Sequence, residues 1–272
     1  MIKPNVEDNL PEVLNRFRQM RNERKILQTI FDKISEDVNF QGLKLARRVL
    51  CVGPGNGEYD LEFIKRCVPK IDTLVAVEYN GNCLKELEKR CVECFNGTVK
   101  YRFYNSLFED WVEDWTGNSS DEKFDVIIGL HVFYEMMPET RLKAFGGIFK
   151  KLLKESTGYF LFNSMSVDHL PGMCNIACEF EKHVQFTEDV VNVVALAQDM
   201  KSEVEQAGGM VVHSKDFITD VDCRDRHSDI LALYRYCYSN VTEEIVEKMM
   251  KELVDGFGCF QISLFIAQKM LN

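Results

Sequence analysis

Val49-Leu-Cys-Val-Gly-Pro-Gly-Asn-Gly-Glu58 is the stretch from which the fold of this chain can be worked out. A short apolar run is followed by Gly53, Gly55 and Gly57, a pattern typical of a strand that ends in a turn and opens a helix. Glycines let a ligand approach the backbone closely, and the amides at the N-terminus of the helix point at that ligand. The stretch therefore predicts a ligand-binding turn after a first strand.

A second apolar run ends at Glu78, about 20 residues after the last glycine, where an acid can accept hydrogen bonds from a ribose. The glycine spacing differs from the G-x-G-x-x-G pattern of dinucleotide sites. Glu58, at the head of the helix, disfavours a pyrophosphate and suits an ammonium group. S-adenosylmethionine (SAM) has a ribose and an ammonium group but no phosphate, so the motif favours SAM over NAD. The alternative is a glycine-rich turn that binds nothing.

Apolar runs and helical patterns alternate along the chain, which predicts an α/β fold. We expect a doubly wound, mostly parallel, seven-stranded Rossmann-like sheet. The predicted strands are Ala46–Val52, Leu74–Glu78, Val99–Tyr104, Phe124–His131, Gly158–Asn163, Met210–Phe217 and Cys259–Ala267. Helices are predicted at 59–67, 82–94, 138–155 and 199–206.

We expect residues 1–272 to form one domain, with three segments outside the regular alternation. An apolar stripe predicts a helix at about 7–36, and the segments at about 164–195 and 222–256 interrupt the pattern later, the second of them mainly helical. Elements inserted over the end of a sheet commonly shape a substrate pocket. These three segments are therefore predicted to form the substrate region.

Composition narrows the class of protein. The chain has 272 residues, 46% of them apolar, and a formal net charge of −10, so we expect a globular protein that does not bind nucleic acid. It shows no apolar run of membrane-spanning length and no signal peptide, which predicts a cytosolic protein with reduced thiols and no membrane partner. We also expect a monomer.

The ten cysteines predict no metal site. Cys91 and Cys94 form a lone C-x-x-C, and Cys174 and Cys178 lie one helical turn apart. A structural zinc site needs four ligands, and neither pair has a second pair beside it.

In a doubly wound sheet, ligands bind beyond the carboxyl ends of the parallel strands. That rule brings the glycine turn, Glu78, Ser106 and His131 to one edge, although they are far apart in sequence. The sequence therefore predicts one site made from several strand ends.

With these elements placed, nearly the whole chain resembles the class I SAM-dependent methyltransferases, and among them the histamine N-methyltransferase family. The resemblance rests on Phe17-(x)5-Glu23, Val52-Gly-Pro-Gly-Asn-Gly-Glu-Tyr-Asp-Leu61, Val77-Glu78, Phe124-Asp-Val-Ile-(x)5-Phe-Tyr134, Thr219-Asp-Val-Asp-Cys223, Ser228-Asp-Ile-Leu231 and the apolar C-terminal strand. The glycine motif is specific only for the superfamily, whereas Glu23 and the C-terminal half narrow it to the family.

The resemblance implies two sets of binding residues. Those implied to line the SAM site, besides Gly55 and Gly57 of the turn, are Gly53, Glu78, Asn82 or Cys83, Ser106 and Leu130. Those implied to face a small amine are Glu23, Phe17, Tyr134, Tyr234 and, by a rough alignment, Gln261.

Two departures from the family concern the substrate pocket. His131 stands where the family has a substrate-contacting glutamine, and the family's tryptophans after the fifth strand are absent, since the chain carries only Trp111 and Trp115. The cofactor assignment is unaffected by these changes, but histamine as the substrate does not follow.

Methyl transfer to an amine requires alignment and a free lone pair on nitrogen. A carboxylate such as Glu23 can hold the ammonium group and accept or relay its proton, and the imidazole of His131 can do the same. The alternative interpretations are a solvated charged face for Glu23, a hydrogen-bonding core residue for His131 and ordinary core packing for the aromatic residues.

The sequence thus predicts a SAM-dependent N-methyltransferase of a small amine, with Glu23 and His131 as catalytic candidates. Four alternatives remain open: a non-catalytic SAM-fold binding protein, a nicotinamide-dependent oxidoreductase, methylation of another small molecule, and methylation of a protein side chain.

Overall fold

The computed structural model describes residues 10–115, 122–166, 175–176, 197–237 and 241–270. Its centre is a seven-stranded sheet, in which β1 (Arg48–Val52), β2 (Thr73–Val77), β3 (Lys100–Tyr104), β4 (Val126–Gly129) and β5 (Tyr159–Ser166) pair in parallel. Strand β7 (Phe257–Lys269) runs antiparallel to both of its neighbours, β5 and β6 (Gly209–Asp222). The order across the sheet is β3-β2-β1-β4-β5-β7-β6. The predicted mostly parallel, seven-stranded fold is confirmed.

Helices cover both faces of this sheet. In chain order they are α1 (Leu10–Gln19), α2 (Glu23–Glu36), α3 (Glu58–Cys67), α4 (Gly81–Phe95), α5 (Phe108–Asp114), α6 (Pro138–Gly147), α7 (Ala197–Gln206), α8 (His227–Cys237) and α9 (Glu243–Lys251). A 3-10 segment at Val38–Leu45 leads into β1, another at Phe133–Glu135 follows β4, and a π-helical turn at Ile148–Leu152 continues α6.

Two hydrophobic clusters fill the space between the helices and the sheet. Because side chains alternate along a strand, Val49 and Cys51 of β1 enter one cluster while Leu50 and Val52 enter the other. The first cluster includes side chains from α1 to α4, α8 and α9, and the second includes side chains from α5, α6 and α7. All four β1 side chains are fully buried, which explains the continuous apolar run in the sequence.

The N-terminal segment differs from the predicted single helix at 7–36, because it is two helices. Arg21 forms an isolated antiparallel bridge with Val221 of β6, and the Asn22 side chain accepts a 2.9 Å hydrogen bond from the Asp220 amide. This pairing with an edge strand takes the backbone out of the helix. The segment therefore runs along the carboxyl edge of the sheet.

The C-terminal part also differs in detail from the prediction. Strands β6 and β7 extend well beyond 210–217 and 259–267 and form a long antiparallel pair. The segment at 222–256 contains the two helices α8 and α9, as expected. Most of the segment at 164–195 lies outside the described residues. Among the helices of the described part of the chain, none has the length and apolar character needed to cross a membrane.

Candidate functional site

The glycine turn joins β1 to α3 in the way the motif predicts. Gly53, Gly55 and Gly57 all have positive φ angles, of 56°, 56° and 77°, a region that other residues adopt at a cost. A Cβ on Gly53 would lie 2.6 Å from the Val132 side chain, and one on Gly57 would overlap Leu87. The motif thus lets the turn lie against the end of β4.

Glu78 lies immediately after β2 and is held rigidly beside the turn. Its Oε2 accepts a 2.9 Å hydrogen bond from the Gly55 amide, and its Oε1 accepts a 2.8 Å bond from the Asn80 amide. The carboxyl group is buried, and burial raises its pKa, although the backbone hydrogen bonds oppose this. Each carboxylate oxygen has a second lone pair, so the arrangement fits the diol of a ribose.

Replacing Glu78 by glutamine should weaken binding of S-adenosylhomocysteine (SAH), the demethylated product of SAM, by about tenfold or more, because charged hydrogen bonds are lost. Isothermal titration calorimetry would measure the change. Glu88→Gln, on the exposed face of α4, is the matched control. Equal affinities of the Glu78 variant and the control would contradict a ribose-binding role.

The other residues predicted to bind the cofactor differ in their burial and in their hydrogen bonds. The amides of Asn82 and Cys83 both donate to Asn80 Oδ1 at 3.0 Å and cap α4. The Ser106 hydroxyl donates to the Leu107 carbonyl at 3.0 Å. Leu130 is buried beyond β4, and Cys83 is fully buried. The structure brings these residues to the carboxyl edge.

Glu58, which the sequence predicts to suit an ammonium group, is paired with arginine side chains in the structure. It lies 3.6 Å from Arg18, 3.5 Å from Arg24 and 4.0 Å from Arg90, so three guanidinium groups surround it. These contacts connect α1, α2 and α4 to the first turn of α3. Glu58 is therefore a largely buried member of an ion-pair network, and a role toward an ammonium group stays a prediction.

Helix α1 lies over the glycine turn. The Arg18 guanidinium donates to Asn56 Oδ1, and Asn56 Nδ2 donates to Asn15 Oδ1 at 2.7 Å. The same guanidinium lies 5.1 Å from the centre of the Tyr59 ring. The first helix is thus fixed to the turn by polar contacts.

Glu23, the first residue of α2, is completely buried at the carboxyl edge. Its Oε1 lies 2.7 Å from His131 Nε2, and its Oε2 accepts a 3.1 Å hydrogen bond from the Tyr59 hydroxyl. Arg21 Nη2 is 2.6 Å from the same Oε2. The carboxylate therefore contacts two candidate pocket residues and a cation of its own chain.

The protonation of Glu23 follows from these contacts. Burial alone would raise its pKa, but the charges of Arg21 and His131 and the hydrogen bonds from His131 and Tyr59 lower it to about 2. Burial, and then the charge of Glu23, raise the pKa of the Tyr59 hydroxyl. Glu23 is therefore ionised at neutral pH while Tyr59 stays protonated.

His131 lies two residues after β4 and has a left-handed φ of 58°. Its backbone amide donates to Asn163 Oδ1 at 2.7 Å, and its Nδ1 lies 2.9 Å from the Tyr134 hydroxyl. Because ionised Glu23 only accepts hydrogen bonds, the ring donates to it from Nε2 and presents Nδ1 to the Tyr134 hydroxyl. The result is a Glu23–His131–Tyr134 chain.

The remaining predicted substrate residues lie nearby with different contacts. Phe17 and Tyr234 are buried in the same hydrophobic cluster, and Phe17 packs edge-on against Phe260 at 6.0 Å between ring centres. Gln261 is the first residue of β7 that pairs with β5, opposite Ser166. Its Oε1 is buried and has no hydrogen-bond partner among the described residues.

Arg21, Tyr59 and Asn163 belong to this polar cluster but were missed by the sequence reasoning. Asn163 ends the predicted fifth strand, so the strand-end rule could have found it. Tyr59 comes directly after the glycine motif and Glu58. Arg21 carried no signal, because its position depends on the unpredicted break between α1 and α2.

Asp60, in the first turn of α3, is another buried carboxyl group. It is 2% exposed, and its Oδ1 has no hydrogen-bond partner among the described residues. Burial raises its pKa to about 7. Within the described part of the chain, no cluster of three metal-ligating side chains is found.

No protein-family model matches the chain, and no curated protein matches its sequence. The resemblance to the histamine N-methyltransferase family therefore stays a prediction.

Solved structures do match the fold. A candidate methyltransferase of Bacillus halodurans matches 86% of this chain and 98% of its own, at 16% identity and a TM-score of 0.57. Magnesium protoporphyrin IX methyltransferase of Synechocystis, solved with bound SAH, matches 95% and 87%, at 9% identity and a TM-score of 0.53. The cyclase SpnF matches 90% and 82%, at 15% identity and a TM-score of 0.54.

The cyclase shows that this fold does not by itself determine the reaction. The SAH-bound neighbour agrees with the SAM site predicted from the glycine motif and Glu78. The chain has the fold of the class I SAM-dependent methyltransferases.

Proposed function

We propose that this protein is a SAM-dependent methyltransferase that transfers a methyl group to a nitrogen atom of a small amine. The pair formed by buried Glu23 and partly exposed His131, joined at 2.7 Å beside the glycine turn, is the observation that carries the proposal. Such a pair can act as a general base, and an ammonium group must lose a proton before its nitrogen has the lone pair that attacks the methyl group.

SAM, when bound, supplies a methyl group on a positively charged sulfur. The residues of this chain align the acceptor and remove its proton. The Tyr134 oxygen accepts the proton of the substrate nitrogen as its own proton passes to His131 Nδ1. The negative charge of Glu23 stabilises the imidazolium that forms, since it already accepts from Nε2. Glu23 and His131 therefore act as one base through Tyr134.

The aromatic residues support binding of a small organic acceptor. Tyr59 lies 5.4 Å from His131 between ring centres, and Tyr134 is perpendicular to the imidazole at 5.9 Å. Together with Phe17 and Tyr234 they would provide apolar and cation–π contacts to an amine. Gln261 would contribute an acceptor for an N–H group.

Transfer of a labelled methyl group from SAM to histamine, with a panel of primary, secondary and imidazole amines alongside, tests the proposal. We expect labelled product from at least one amine, with the methyl group on nitrogen by mass spectrometry. SAM binding without transfer to any amine would reject N-methylation of a small amine.

O-methylation of a weakly acidic hydroxyl group is the second candidate. Arg21, 2.6 Å from Glu23, compensates the carboxylate, so the pair does not select a cation by charge alone. The same Tyr134–His131 chain can remove the proton of a phenol. Phenols and catechols in the same assay distinguish the two candidates, because methylated oxygen would appear without methylated nitrogen.

A further inference from the structure

Arg21 is a buried cation at the carboxyl edge of the sheet. Its side chain is only 4% exposed. The guanidinium carbon lies 5.1 Å from the centre of the Phe17 ring and 4.9 Å from that of Phe260. Two aromatic rings thus restrict the orientation of the guanidinium plane, in contacts that favour arginine over lysine.

The backbone at Arg21 is fixed by the break between α1 and α2. Besides the bridge to Val221, the Asp222 amide donates to the Met20 carbonyl at 2.8 Å, and the Asn22 amide donates to the Asp220 carbonyl at 3.3 Å. An uninterrupted helix would not make these bonds. The position of Arg21 is therefore built into the fold before any ligand arrives, which lowers the entropic cost of binding.

One edge of the Arg21 guanidinium is ion-paired with Glu23 but makes no well-aligned hydrogen bond. Nε and Nη2 have no hydrogen-bond partner among the described residues, even though Nη2 lies 2.6 Å from Glu23 Oε2, outside hydrogen-bond geometry. These two nitrogens form the side of the guanidinium that binds a carboxylate through two parallel hydrogen bonds. Leaving buried donors unsatisfied is costly, so a ligand that accepts from both would be stabilised.

From this geometry we infer that Arg21 binds a carboxylate of the substrate, and that the substrate is an amino acid or another carboxylated amine. This inference rests on the proposed methyl transfer to nitrogen. Arg21 and His131 contact the two oxygens of one carboxylate, Glu23. One small zwitterion can therefore place its carboxylate on Arg21 and its nitrogen beside the His131–Tyr134 pair.

Amines and their carboxylated counterparts test the inference directly. Histamine is compared with histidine, and tyramine with tyrosine, by kcat/KM for methyl transfer and by calorimetric binding to the SAH-loaded protein. We expect the wild type to favour the carboxylated member of a pair at least tenfold. Arg21→Gln should remove that preference, which is a ratio of two kcat/KM values measured on the same variant and therefore does not depend on how far the loss of the ion pair with Glu23 lowers both rates.

Arg24→Gln is the matched control, because Arg24 lies on the exposed side of α2 and pairs with Glu58 and Glu62. It should keep the wild-type preference. A wild type that favours the plain amine, or an Arg21 variant that keeps the preference for the carboxylate, would overturn the inference. If Arg21→Gln does not fold, the inference is tested by the wild-type comparison and by Arg21→Lys. Lysine cannot form two parallel hydrogen bonds to one carboxylate, so this variant should reduce the preference at least fivefold.

The binding measurement separates this inference from the proposed function. If the protein methylates no amine yet binds carboxylated compounds through Arg21, the reaction is wrong and the carboxylate site stands. If amines are methylated without regard to a carboxylate, the reaction stands and the site is wrong.

Discussion

His131→Asn should lower kcat by roughly two to three orders of magnitude, because asparagine cannot accept the proton that reaches the ring through Tyr134. Asparagine is among the residues that tolerate the left-handed φ of 58° found at this position. The backbone bond from residue 131 to Asn163 therefore remains. Steady-state kinetics on the best amine, with SAH affinity measured separately, would give the effect.

Two further variants test whether the loss of kcat is specific to His131. His213→Asn is the matched control, because His213 packs against Phe40 on a different part of the sheet and should leave kcat unchanged. Glu23→Gln should also reduce kcat, and it should destabilise the fold, since it leaves the charge of Arg21 buried without its partner. Unchanged kcat in the His131 variant would rule out the proton-accepting role.

Asp60→Asn should stabilise the protein at pH 8 and remove a pH dependence that the wild type shows. Folding raises the pKa of Asp60 from 3.8 to about 7 by burial, so the folded state favours the neutral acid. The contribution of Asp60 to stability is therefore fully present below about pH 4. It declines between about pH 4 and pH 7, and the total loss is on the order of 4 kcal/mol.

Urea unfolding of both proteins at several pH values from 4 to 8 measures this difference. The stability advantage of the asparagine variant should increase with pH and level off above pH 7. Other titrating groups are common to both proteins and cancel in the comparison. Parallel curves for the two proteins would mean that Asp60 is not held in its neutral form.

The fold could be predicted because its signals are local. The glycine motif, the fully buried β1 and the alternation of helices and strands each follow from residues close in sequence. The break at Met20–Asn22 could not be predicted in this way, because it exists only through pairing with Thr219–Asp222 of β6, about 200 residues away. For the same reason the lengths of β6 and β7 depend on each other and exceeded the prediction.

The site residues that lie just after strands could be predicted from the sequence. Glu78 and His131 lie just beyond β2 and β4, where the sheet rule puts them. The partners of Glu23 could not be predicted, because Arg21, Tyr59 and His131 come from three separate segments whose meeting depends on tertiary packing. Glu23 was expected to face an amine; the structure shows its bond to His131 Nε2, and its contact with a substrate stays a prediction.

The segment before the first strand contributes Phe17, Arg21 and Glu23 to the candidate pocket, and its bonds to the sheet are made at the edge strand β6. The sheet and its cofactor turn are built from later parts of the chain. Mutations in the early segment can therefore change which molecule is accepted without disturbing the strands that hold the methyl donor. In evolutionary terms, such a division lets gene duplicates acquire new substrates by altering about 20 residues while the rest of the sequence stays under selection for folding.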